Sequence, residues 1–137
     1  MSETKPVTAA QLTSISPSFA VPDVVAAAQY YCDKLGFQIL GYFLDPPVYA
    51  IVRRDSVVIH FGRIETNVSS SPNTVRRLEG IDAYVWVDDV DALCNEFQKR
   101  GARVVDPPMK RVYGCYEMVV EDNDGLRIAF GMNIAEN

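Results

Sequence analysis

Apolar and polar positions alternate over residues 15–21, where Ile15, Pro17, Phe19 and Val21 are set against Ser16, Ser18 and Ala20. Period two marks a half-buried strand. The period then changes: Val24, Ala27/Ala28, Tyr31 and Leu35 fall on one helical face. Asp23 stands where an N-cap belongs and Gly36 where a helix stops. Strand patterns follow over residues 38–43, 49–53 and 56–62, separated by Asp45-Pro46-Pro47 and Arg54-Asp55. Residues 64–79 read as a linker, with Ser69-Ser70-Ser71-Pro72-Asn73 its most loop-like stretch. The plan then repeats. Residues 81–87 read as a strand, Asp89 as an N-cap, and Val90, Leu93/Cys94 and Phe97 as a helix face ended by Gly101. A short strand over 103–105, a break at Pro107-Pro108 and a long strand near 112–120 come next. A turn at Asp122-Asn123-Asp124-Gly125 leads to a last strand over 126–131.

The repetition is visible residue by residue. Val21-Pro22-Asp23-Val24 corresponds to Val87-Asp88-Asp89-Val90, and Lys34-Leu35-Gly36-Phe37 to Lys99-Arg100-Gly101-Ala102. The offset is 66 residues at Asp23/Asp89 and 65 at Gly36/Gly101, so one single-residue gap aligns the copies. The fold class is therefore α+β, built from two tandem βαβββ modules. Module one spans residues 14–63 and module two residues 80–131 of one domain, with tails at 1–13 and 132–137. A half of roughly 60 residues alone would bury only about 60% of its unfolded surface. The halves are expected to share a core or to trade elements with a second chain.

The strand period also separates two faces. Val57, Ile59, Phe61; Ala83, Val85, Val87; and Leu126, Ile128, Phe130 are uniformly apolar, as a helix-covered face should be. The other face carries Val58, His60, Gly62; Asp82, Tyr84, Trp86; and Arg127, Ala129, Gly131, joined by Ser16 and Ser18. Polar and aromatic groups among apolar walls suit a small-molecule site.

Four stretches in order carry a resemblance. They are Phe19-Ala20-Val21-Pro22-Asp23-Val24; Tyr30-Tyr31 with Lys34-Leu35-Gly36-Phe37; Val87-Asp88-Asp89-Val90-Asp91-Ala92-Leu93; and residues 122–131, from Asp122 to Gly131. Together they resemble the vicinal oxygen chelate superfamily of glyoxalase I, bleomycin-resistance proteins and extradiol dioxygenases, and most of all its bleomycin-resistance-like branch. The resemblance implies a curved mixed sheet with a half-open cleft, and homodimers that often share elements between chains. In the metal-dependent branches a His or Glu enters the cleft from four equivalent strands. Aligned on the repeats, those positions are Ser16, His60, Asp82 and Ala129. Ser16 is a poor ligand, Ala129 is none, and His60 is the only histidine, so no two-His-one-carboxylate site can be built in one subunit. No metal and no cofactor is expected.

Composition narrows the partners. The 137 residues are 48% hydrophobic and 23% charged, with a net charge of −5, and hold no Lys/Arg stripe to displace counterions. Nucleic acid and anionic membrane surfaces are not expected partners. Cys32, Cys94 and Cys115 are odd in number and lack metal-type spacing, which points to a reducing, cytoplasmic setting. No run approaches a membrane span.

The expected ligand contacts are Trp86, Tyr84, His60, Asp82, Glu117, Ser16 and Ser18. Trp86 and Tyr84 can stack a planar or cationic group, or pack at a dimer interface. His60 fills the cleft base, touches ligand, or handles protons. Asp82 is expected either to pair with His60 or Arg127 or to lie exposed at a strand edge. Glu117 resembles the acidic residue of the bleomycin-resistance branch on this strand. These residues lead to a metal-free protein sequestering a planar, aromatic or cationic molecule near a dimer interface. The alternative is a lyase, isomerase or dioxygenase-like enzyme using non-standard metal ligands or His60/Asp82 acid–base chemistry.

Overall fold

The computed structural model describes residues 9–64 and 80–134, so the expected linker, apart from Ile64, lies outside the described residues. The first module comprises β1 (Ser18–Val21), α1 (Val24–Leu35), β2 (Gln38–Phe43), β3 (Tyr49–Arg54) and β4 (Val57–Arg63). The second comprises β5 (Ala83–Trp86), α2 (Val90–Arg100), β6 (Arg103–Lys110), β7 (Cys115–Glu121) and β8 (Arg127–Asn133). This is the tandem βαβββ plan of the repeat. The strands form two separate four-stranded mixed sheets, ordered β1-β4-β3-β2 and β5-β8-β7-β6, where a single curved mixed sheet was expected. In each, the first strand runs parallel to the last and the remaining pairs are antiparallel.

Both helices begin and end where their caps dictate. Asp23 Oδ1 accepts from the amides of Val25 and Ala26 at 3.0 and 3.1 Å, and Asp89 Oδ1 from Ala92 at 3.0 Å. Each bond satisfies an amide with no partner inside the helix. Gly36 closes α1 at φ +76°, and a Cβ there would also press on Arg54 Nη1. Glycine answers both demands.

Each helix covers the apolar face of its own sheet. Tyr31, Leu35, Ile59 and Phe61 from the first module share one core cluster with Val90, Phe97, Ile128 and Phe130 from the second. The modules also meet through polar contacts from α1, β3 and α2. Tyr31 Oη donates to Asp122 Oδ2 at 2.7 Å, and Arg54 reaches both Glu96 oxygens and the Leu35 carbonyl at 2.8–3.0 Å. The polar faces are consequently turned away from the shared core.

Four strand expectations are corrected. β1 starts at Ser18, not at residue 15: Pro17 has no amide to donate, and Ile15 is 92% exposed. The second-module strand expected to stop before Pro107-Pro108 runs on to Lys110. β6 is a sheet edge, its register slips between Val104 and Asp106 and again before Met109, and edge strands with bulges tolerate proline. β7 begins at Cys115 because Arg111 and Gly114 form a turn, Gly114 N–H donating to the Arg111 carbonyl at 3.1 Å. β8 also continues two residues beyond 131, where a tail was expected to begin.

Candidate functional site

The strand registers fix which side chains share a face. On the first sheet Ser18 lies opposite His60, His60 opposite Ile51, and Tyr49 opposite Gly62. On the second, Tyr84 lies opposite Ala129, Trp86 opposite Gly131, and Gly131 opposite Glu117. The polar face of each module is therefore contiguous: Ser18, His60 and Tyr49 on one, Tyr84, Trp86 and Glu117 on the other. No ring contact or hydrogen bond identified among the described residues joins one polar face to the other. Each face stands by itself.

On the first face His60 Nδ1 lies 2.8 Å from Tyr49 Oη, and the rings meet edge-on at 5.6 Å. Phe43 stands against Tyr49 at 6.3 Å. With the phenol donating to Nδ1, the neutral imidazole carries its proton on Nε2 and presents a donor. The pairing of His60 with Asp82 does not form within the chain. Asp82 sits on the other module, just before β5, and its Oδ2 accepts from the Arg127 amide at 2.9 Å.

On the second face Tyr84 and Trp86 rings lie 4.7 Å apart at 48°, and Trp86 is 59% exposed. Tyr84 leans across β8 because residue 131 is glycine. A Cβ at that position would collide with the Tyr84 hydroxyl and crowd Glu117 Cβ. Glu117, only 3% exposed, is the hub beneath. Its Oε1 accepts from Tyr84 Oη at 2.8 Å; its Oε2 accepts from Tyr113 Oη at 2.7 Å and Arg111 Nε at 3.2 Å. A buried carboxylate needs such partners to remain tolerable. Lost hydration and the hydrogen bond to Glu117 push the Tyr84 phenol far up and the Tyr113 phenol up to about 12, so both stay protonated donors. Glu117 thus organises the face rather than meeting solvent.

Ser18 is exposed and in register with His60; Ser16 precedes β1 and has no ladder partner. By register Ser18 stands beside His60 and Tyr84 beside Ala129, while Ser16 and Asp82 precede those ladders. The positions aligned on the repeats, Ser16, His60, Asp82 and Ala129, offer a hydroxyl, an imidazole, a carboxylate on the other module and no donor. This set does not fit a divalent metal. Among the described residues no group of three or more His, Cys, Asp or Glu side chains is placed to hold one.

Sequence reasoning placed Trp86, Tyr84 and His60 on polar faces but left Tyr49 unassigned. The β3 pattern Tyr49-Ala50-Ile51-Val52 is apolar on both sides, so only the ladder reveals that Tyr49 meets His60. Arg111 was missed because it lies between the Pro107-Pro108 break and the strand expected near 112–120, and only the hairpin turn brings it to Glu117. A recess of about 360 Å³ lies between the modules, lined by Phe37, Arg54, Val57, Val85, Leu93 and Phe97 among others. Trp86, Asp55, Asp88, Asp89 and Glu96 also line it, so the recess runs from the module junction to the end of β5 that carries the exposed indole.

Paired βαβββ modules with polar, aromatic sheet faces define the class, and the sequence agrees. Residues 11–130 match the family model of the Glyoxalase/Bleomycin resistance protein/Dioxygenase superfamily, and the chain belongs to that family. Among solved structures it is similar to TioX from Micromonospora sp. ML1, at 20% identity and a TM-score of 0.70, covering 89% of this chain and 99% of that one. It is also similar to TnmS3, an antibiotic binding protein from Streptomyces sp. CB03234, at 24% identity and a TM-score of 0.64, covering 90% and 99%. A glyoxalase/bleomycin resistance protein/dioxygenase from Nocardioides aligns at 16% identity and a TM-score of 0.67, covering 96% and 89%. Searched against curated proteins, the chain finds no match.

Proposed function

We propose that this chain is a metal-free binding protein that sequesters a planar, aromatic or cationic small molecule in a cleft completed by a second copy. The carrying observation is the Tyr84–Trp86 pair, held over a buried Glu117 and presenting a tryptophan that is 59% exposed. A large ring held open to solvent is costly unless something covers it, and stacking is the chemistry it offers. The two polar faces turn away from the shared core, so among the described residues one chain offers two open faces rather than one cleft. In a two-fold dimer, Ser18, His60 and Tyr49 of one copy would face Tyr84 and Trp86 of the other, giving two equivalent clefts. The antibiotic-binding relative supports a small-molecule cargo. Three free cysteines support a reducing, cytoplasmic setting; among the described residues no helix is long and apolar enough to cross a membrane.

The test is titration of a panel of polycyclic antibiotics against the fluorescence of Trp86, the single tryptophan. A hit should quench it, and calorimetry should show at least tenfold weaker binding by Trp86→Ala. A Trp86→Ala protein that binds the hit as tightly would defeat the assignment. The His60–Tyr49 contact sustains a second reading, acid–base catalysis on the same face. It would be supported by turnover whose pH dependence disappears in His60→Ala.

A further inference from the structure

The recess between the modules differs in kind from the sheet faces. Its volume of about 360 Å³ sits at the lower end of the range for small-molecule sites. Phe37, Phe97 and Phe130, all buried, form an apolar floor, and Val57 and Leu93 close the sides. The mouth is acidic. Asp55 and Asp88 are exposed there, Asp88 two residues beyond Trp86, whose indole opens on the same mouth. No hydrogen bond or ion pair engages Asp88 among the described residues, and Asp55 approaches Arg54 Nε only to 4.0 Å. The groups that would draw an anion are already committed. Arg54 holds both Glu96 oxygens and the Leu35 carbonyl, and Asp89 accepts from the Ala92 amide at the start of α2.

We infer that the recess is a second small-molecule site, separate from the sheet faces, and that it takes an organic ammonium carrying a small aromatic body. The body enters the apolar floor, where removing its surface from water drives binding. The ammonium stays at the mouth, where solvent still reaches it and little hydration is lost. There the Asp88 and Asp55 carboxylates attract it, and the Trp86 ring adds a cation–π contact. A neutral molecule of the same shape gains the floor and forfeits the mouth. The lining comes from one chain, so this site needs no second copy and stands or falls apart from the cleft proposed above.

The experiment titrates two probes of nearly equal size into the full chain by calorimetry at low salt. They are naphthalen-2-ylmethanamine, an ammonium at pH 7, and the neutral 2-naphthalenemethanol. The amine should occupy one site per chain and bind at least about fivefold more tightly than the alcohol. Asp88→Asn should weaken the amine about threefold and the alcohol by less than about twofold. Ala92→Trp, at an exposed position in the lining, should fill the recess and abolish binding of both probes. Ser56→Trp, also exposed in the lining, serves the same purpose if the first variant does not fold. His60→Ala, which alters the first-module polar face, should leave the amine unaffected, and this separates the recess from the cleft. Equal affinity for the two probes, or no binding of the amine, overturns the inference. So does amine binding that survives in a folded recess-filling variant, or that is lost in His60→Ala.

Discussion

Glycine 131 shows how one missing carbon can shape a face. The Tyr84 hydroxyl occupies the space a Cβ would need, and from there it reaches Glu117. Gly131→Ala should therefore dislodge Tyr84 and disturb the Trp86 stack. We expect a shifted Trp86 emission maximum and at least tenfold weaker binding of any ligand found for this face, with the melting temperature falling by only a few degrees. Unchanged emission would show that Tyr84 does not depend on this vacancy. Asp124 shows the opposite condition. Its Oδ2 is buried without a partner, and burial, with Asp122 and Asp23 nearby, raises its pKa to about 6. A carboxyl raised in the folded state destabilises the fold when ionised. Stability should hence decline as pH rises from about 4 through 6. Asp124→Asn should gain about 1 kcal/mol at pH 7.5, after allowing for solvent screening, and the gain should shrink toward pH 5. Denaturant melts at both pH values measure this; a gain equal at the two would contradict it. None of this was legible in the sequence, where Gly131 and Asp124 read only as strand and turn residues.

At the scale of elements, the helices were the most legible parts. Their period, Asp caps and glycine stops are local signals, and local hydrogen bonds decide them. Strands were less so, because pairing partners decide where they start and stop. The β6 edge carries Pro107-Pro108 through its bulges, and no local pattern reports that an edge is available. The contacts between elements were also invisible. Tyr31 reads as a core residue, yet its hydroxyl ties α1 to the turn between β7 and β8 through buried Asp122. Tyr31→Phe keeps the ring and strips Asp122 of that donor. The expected cost is about 1–3 kcal/mol in urea denaturation, without loss of the ring packing against Phe37 and Phe61. A neutral result would mean that solvent replaces the hydroxyl at no cost.

For the whole molecule, the repeat predicted two like modules and assigned their apolar and polar faces correctly. It did not predict what each polar face looks at. Periodicity reports which side of a strand is buried, but the relative placement of two modules depends on which surfaces meet. Here α1, α2 and the Arg54–Glu96 pair make that junction, leaving His60 on one open face and Trp86 on another. On the function proposed, a cleft forms only between modules of different chains. It is tested most directly by mixing His60→Ala and Trp86→Ala proteins, each deficient alone, under conditions that exchange subunits, and measuring ligand binding by calorimetry. A cleft shared between chains puts both substitutions in one cleft of the mixed dimer and leaves the other intact, so native-affinity binding should reappear at one site per mixed dimer. If the mixture binds no better than its components, the cleft does not form between chains.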